Sequence, residues 1–268
     1  MDDTQNIGGF RVILSTRADG NMSSAHGEVT EVEARRGAFC ASHGIDHSKV
    51  AFIEACHTGS VALVEKGSGI GPSLSERFSL TPFLRVPTID ADFPAYLTAF
   101  DGLLSFDSDI PVALLSGDCV PLVVVDEMTG LHGILHVGLL GLLNDITGTF
   151  ARVLNSLSVP VDRVNFYLGP HISAQSYNLS KSGMWKRVGE QALERCPWIG
   201  EFISHRDGGD FLDLARALES RLAHIGAVSS RISVDGRDTV GQSSAFFSHF
   251  RAVQEGIQNG RFMTLVGR

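Results

Sequence analysis

The 268-residue chain has no run of Lys and Arg, and its 22 Lys and Arg face 30 Asp and Glu for a formal charge of −8. A field of that sign repels nucleic acid and anionic membrane, so neither is expected as a partner. No stretch approaches the roughly 20 apolar residues that a membrane span requires. The acidic start Met1-Asp2-Asp3-Thr4 lacks the apolar core of a secretion signal. A cytoplasmic protein is expected. Cysteine is scarce: Cys40, Cys56, Cys119 and Cys196 lie far apart, which suits free thiols in a reducing compartment better than a disulfide framework. The formal sequons at Asn21 and Asn178 then carry no meaning. Also absent are a P-loop, a Gly-x-Ser-x-Gly elbow, a His-Glu-x-x-His helix and a Cys-x-x-Cys pair. Gly67-Ser68-Gly69-Ile70-Gly71 has the wrong glycine spacing for a dinucleotide loop, and Pro72 follows where a helix would have to open. The chemistry must come from residues distant in sequence.

Apolar material is plentiful, at 43% of residues, enough for a large buried core. Runs suited to strands are Phe10 to Ser15, Val50 to Cys56, Val61 to Glu65, Gly102 to Phe106, Val112 to Leu115, Leu122 to Asp126, Gly133 to Val137 and Arg163 to Leu168. Thr30 and Glu33 have capping-box spacing, which predicts a helix from Thr30 to His43. Apolar residues at three and four residue steps from Leu139 to Leu157 predict one longer helix, and Asp210 to Ile225 predicts another. Lys66 to Pro87, rich in Gly, Pro and Ser, reads as a loop. The fold class is α/β or α+β.

Cys119 lies in Ser116-Gly117-Asp118-Cys119-Val120-Pro121-Leu122, between two apolar runs. Gly117 permits a positive φ or a close backbone approach, and Pro121 removes a ladder donor, so strand structure is expected to break around the thiol. His136 ends another such run, and His57 follows a third. One Cys and two His make a site for zinc or copper. Each has a plainer reading: Cys119 as a small buried hydrophobe, His136 as a core histidine satisfied by a carbonyl. His132 reads as a strand-entry residue. Alternation makes Cys56 a core residue if His57 is a ligand. Asp118 or Asp101 can orient a histidine or carry a proton, or serve a turn.

The ordered set Ala55-Cys56-His57, Phe100-Asp101-Gly102, Gly117 to Leu122, His136-Val137-Gly138, Gly169-Pro170-His171-Ile172, Phe211 to Leu214, Phe246 to Arg251 and Gly260-Arg261 resembles the YfiH-type family. That family is also called laccase-like polyphenol oxidoreductase or purine nucleoside phosphorylase. The resemblance spans nearly the whole chain and implies a single domain over residues 1–268. It implies a four-layer α/β/β/α sandwich with mixed sheets, distantly like cytotoxic necrotizing factor deamidases. It also implies a zinc or copper site made by His57, Cys119 and His136; Asp118, beside the thiol, is a further candidate in catalysis. The implied substrate is a purine nucleoside, undergoing phosphorolysis or, for adenosine, deamination. Arg17 and Arg251, the cations left in the motifs, are candidate substrate-binding residues or else fold-supporting ion pairs, and His171 is a third candidate for the substrate.

The chain departs from the family at informative places. Ala55-Cys56-His57-Thr58 stands where the family reads Gln-Val-His-Gly, and Leu139-Leu140 replaces the Trp-Arg pair after His136-Val137-Gly138. A guanidinium is the obvious group for phosphate, so its loss bears directly on phosphorolysis. His249 stands in place of a Tyr, and Phe250 displaces the following Arg to position 251. Two other classes remain open. One is a metal-free Cys-His nucleophile for amide or cell-wall precursor substrates. The other is a degenerate member that binds a ligand with little catalysis.

Overall fold

The computed structural model describes residues 3–53, 55, 57, 59–66, 78–82 and 100–268. In chain order the elements are β1 (Thr4–Ile7), β2 (Phe10–Leu14), α1 (Val29–Ser42), β3 (Ala51–Ile53), β4 (Val61–Lys66), β5 (Phe78–Pro82), β6 (Gly102–Ser105), β7 (Val112–Ser116), β8 (Val120–Asp126) and β9 (Leu131–Val137). There follow α2 (Leu139–Leu143), α3 (Ile146–Ser156), β10 (Asn165–Leu168), α4 (Gly183–Arg195), β11 (Ile203–Arg206), β12 (Gly209–Leu212), α5 (Leu214–His224), β13 (Ile232–Val234), α6 (His249–Glu255) and β14 (Phe262–Gly267).

Strands covered on both faces need no polar alternation, and β7, β8 and β9 are buried along their whole length. They belong to two mixed sheets. One has five strands in the order β1-β2-β14-β7-β3, the other seven in the order β13-β10-β8-β9-β6-β4-β5. The inner faces meet in a core of Phe10, Val12, Val112, Leu114, Val123, Val125 and Ile134. The outer face of the five-stranded sheet, with Ile13, Leu115 and Leu265, packs on Phe39 and Cys40 of α1. The outer face of the seven-stranded sheet, with Val120, Leu122 and Val124, packs on Ile146 and Phe150 of α3, Val188 of α4 and Leu218 of α5. Helix, sheet, sheet and helix form the four expected layers. No helix among the described residues is long and apolar enough to cross a membrane.

Chain direction places the site. β3 and β7 run parallel in one sheet and lead through residues 54–60 and 117–119 into β4 and β8 of the other. Both crossings fall at one end of the sandwich. β9 is antiparallel to β8 and β6, with Pro121 opposite His136 and Gly102 opposite Leu135, so His136 and Asp101 reach the same end.

Several local expectations are corrected. α1 begins before Thr30: Glu28 is its cap, its carboxylate accepting from Glu31 N–H at 3.0 Å. The long helix from Leu139 is two, because Asp145 takes the left-handed conformation (φ 52°) and caps α3 by accepting from Gly148 N–H at 3.2 Å. The start of the Asp210 to Ile225 segment is strand β12, and α5 starts after the cap Asp213. Within the expected loop from Lys66 to Pro87, β5 pairs antiparallel with β4; the remainder after Lys66, including the glycine cluster, lies outside the described residues, as does Cys56. Pro121 sits inside β8 rather than ending it, and the positive φ near the thiol belongs to Asp118 (116°), not Gly117.

Candidate metal centre

His57, Cys119 and His136 each offer one ligand atom, and these atoms all lie within 4.8 Å of one another. Cys119 Sγ is 4.0 Å from His57 Nε2. Tetrahedral zinc with ordinary Zn–S and Zn–N bonds would hold two such ligands about 3.6 Å apart. The two imidazoles meet edge to face, with centroids 4.8 Å apart. Gly138 leaves the sulfur its room, since a Cβ there would stand 2.5 Å from Sγ. The donor set and its spacing fit a metal ion.

Asp101, fully buried at the entry to β6, organises the site. Its carboxylate accepts from the backbone N–H groups of His57 at 2.7 Å and Gly59 at 2.9 Å, and one oxygen faces His136 Nδ1 at 3.7 Å. Its carbonyl accepts from His136 N–H at 2.6 Å. His57 is in the left-handed region (φ 63°), and Asn144 Nδ2 donates to its carbonyl at 2.9 Å. Both peptide groups of this histidine are therefore clamped, which holds a conformation that non-glycine residues adopt at a cost.

Burial raises the Cys119 thiol, but the charge of His136 and the contact with His57 at 4.0 Å outweigh it and pull the thiol well below its ordinary range. Burial lowers His136, and the Cys119 charge with the Asp101 carboxylate 3.7 Å away more than reverses this. Without an ion the pair is a thiolate beside an imidazolium. Burial pushes the Asp118 carboxyl up to about 7, partly offset by hydrogen bonds from Phe250 N–H and Thr239. Its oxygens are taken up by Phe250 N–H at 2.6 Å and Thr239 Oγ1 at 2.7 Å, so Asp118 ties the turn to α6 rather than reaching either histidine.

The three candidate ligands line a cavity of about 730 Å³. Leu139, Ile172, Tyr177, Met184, Leu214 and Phe250 give it apolar walls, and Lys181, Arg187, Arg261, His26 and His249 bring basic groups. Sequence reasoning did not single out these basic residues, although His249 and Arg261 stand in the quoted motifs. Their positions along the chain are too dispersed for any pattern to join them. Arg17, Arg251 and His171 are not among the described residues lining the cavity. Arg17 lies over the Phe247 ring at 4.5 Å. Buried Arg251 donates to the carbonyls of Val240 at 3.1 Å, Phe246 at 3.4 Å and Ser243 at 3.5 Å. His171 turns Nδ1 to the Gly169 carbonyl at 2.8 Å. His132, at the far end of β9, has both ring nitrogens on the carbonyls of Gly130 and Ile110, so it is structural.

The profile of the family described as multi-copper polyphenol oxidoreductase laccase matches residues 11–268. The chain belongs to this family. Among curated relatives, the purine nucleoside phosphorylase YlmD of Bacillus subtilis is 28% identical over 180 residues, 66% of this chain and 61% of that one. A purine nucleoside phosphorylase of Mycobacterium tuberculosis is 27% identical over 182 residues, 68% of this chain and 67% of that one. Among solved structures, YlmD from Geobacillus stearothermophilus superposes with a TM-score of 0.72 at 20% identity, covering 100% of this chain and 99% of that one. YfiH from Bacillus licheniformis gives 0.72 at 19% identity, covering 96% and 92%. Membership of the family and the fold of these neighbours are thereby shown, and the family's name and its relatives' names associate it with metal and with purine nucleosides.

Proposed function

We propose that this chain is a metal-dependent enzyme that cleaves the glycosidic bond of purine nucleosides with phosphate. The observation that carries this reading is the convergence of His57, Cys119 and His136 on the wall of a cavity that also holds Lys181 and Arg187. A thiolate and two neutral imidazoles suit zinc, with copper the alternative. A bound ion would supply a Lewis acid and an acidified water at this wall. The family's Arg after His136 is Leu140 here, so the phosphate is assigned to the cations contributed by other elements. These cations hold it while the sugar develops carbocation-like charge, and Leu139, Ile172, Met184 and Phe250 exclude water from the base. Asp101 keeps His136 and the His57 backbone in place and touches no substrate.

Metal analysis of the purified protein, with product analysis for adenosine and inosine, tests the reading. Ribose 1-phosphate formed only when phosphate is present is the expected result. Inosine released from adenosine would reassign the site to deamination, and neither product would remove the nucleosides. The thiolate-imidazolium pair favours a second reading, a Cys-His nucleophile acting on amide bonds. That reading requires activity in metal-free protein, abolished when Cys119 is alkylated.

A further inference from the structure

Asn259 lies in the turn between α6 and β14. Its Oδ1 accepts from Gly260 N–H at 3.0 Å and from the Arg261 guanidinium at 2.9 Å. Both partners only donate, so this atom must be the oxygen and the other terminus the amide nitrogen. That nitrogen stands 2.9 Å from His249 Nδ1. An amide NH2 donates and does not accept, so Nδ1 is unprotonated and the ring proton is on Nε2. No partner for Nε2 is found among the described residues, and His249 lines the cavity together with Arg261.

We propose that His249 determines base specificity: locked by Asn259 as the Nε2–H tautomer, it forms with Arg261 a donor-only wall that favours a 6-oxopurine nucleoside over a 6-aminopurine one. The inference rests on the purine nucleoside reading above. Along the edge formed by N7 and the 6-position, hypoxanthine and guanine present two acceptors, whereas adenine presents an acceptor and an amino donor. Two donors pair with the first edge and leave a donor facing a donor on the second. Such a mismatch is worth roughly ten- to hundredfold in discrimination. His249 transfers no proton in this role; a neutral imidazole polarises the acceptor by hydrogen bonding alone.

The test has two parts, both on the full chain. Nitrogen-15 NMR of the histidine rings, with the His249 signal assigned by its loss in His249→Phe, should show Nε2 protonated and Nδ1 bare at neutral pH. The ratio of kcat/KM for inosine over adenosine, at fixed phosphate, should exceed about ten in the wild type and fall toward one in His249→Phe. Asn259→Asp keeps acceptors for Gly260 and Arg261 but accepts from the ring instead of donating to it. Above the ring's pKa, which the new carboxylate raises, the proton then moves to Nδ1, and the ratio measured there should fall at least tenfold. His249→Gln, which can turn either end of its amide to the base, should also relax the ratio if the aromatic variant fails to fold. A wild-type ring protonated on Nδ1, or a ratio near one, overturns the inference and leaves the nucleoside reading standing. No turnover of either nucleoside overturns the nucleoside reading and the inference with it.

Discussion

A Cβ built on Gly138 would stand 2.5 Å from Cys119 Sγ and 3.7 Å from His57 Cδ2, inside the space the ligands need. Gly138→Ala is therefore expected to weaken metal binding at least tenfold with circular dichroism unchanged, as read by competition with a chromophoric chelator. Cys119→Ser should lose the bound ion altogether by elemental analysis. In metal-free protein the thiol is pulled below its ordinary range by His136 and His57. An ordinary thiol, with a pKa of about 8.5, alkylates roughly tenfold faster for each pH unit up to that value. Cys119 should instead show a flat rate from pH 7 to 9, because its thiolate is already formed at the lower end. A rate that climbs with pH across this range would contradict the coupling seen between the thiol and the two imidazoles.

Between α2 and α3 the helix breaks at Asn144 and Asp145, and the break serves the site: Asn144 donates to the His57 carbonyl. Periodicity at three and four residues ran through both segments without registering the break, because each helix buries its apolar face against the same sheet. A similar division of labour holds at α6. Ser248 caps it, Asp118 accepts from Phe250 N–H, and Arg251 fastens it to the carbonyls of Val240, Ser243 and Phe246. Arg251→Ala leaves three carbonyls without a charged donor and is expected to cost about 2–4 kcal/mol in urea unfolding. KM measured below the unfolding transition should stay within about twofold of wild type. A selective rise in KM without loss of stability would instead place Arg251 on the substrate.

Across the whole molecule the ligands bridge two sheets: His57 and Cys119 stand on the two passages from the five-stranded to the seven-stranded sheet, and His136 stands on β9 of the latter. An ion bound by all three ties these passages together and stabilises only the folded state. At an ion concentration a hundredfold above Kd the gain is about 2.7 kcal/mol, which in a chain of this size raises Tm by on the order of 5 °C or more. Chelation should lower Tm by that amount, zinc should restore it, and Cys119→Ser should show neither effect by calorimetry. An equal response in the variant would mean that the ion acts elsewhere.

The strands that meet in the core were legible because burial on both faces writes itself as unbroken apolar runs, and β8 and β9 have them. Cys119, His136 and His57 were legible as candidates because each stands at or just beyond such a run, and the family resemblance joined them as one ligand set. The exposed basic residues Lys181 and Arg187 left no such mark, since a cation on the surface costs little anywhere along a chain. Their assembly around one cavity, the clamp of Asp101 on two histidines and the tautomer that Asn259 imposes on His249 depend on directions of individual hydrogen bonds. The sequence by itself determined which residues had to be buried and which could ligate. Only the packing of two sheets, with two chain crossings at one end, decided which of them meet, because contacts between residues dozens of positions apart are set by strand register and not by local pattern.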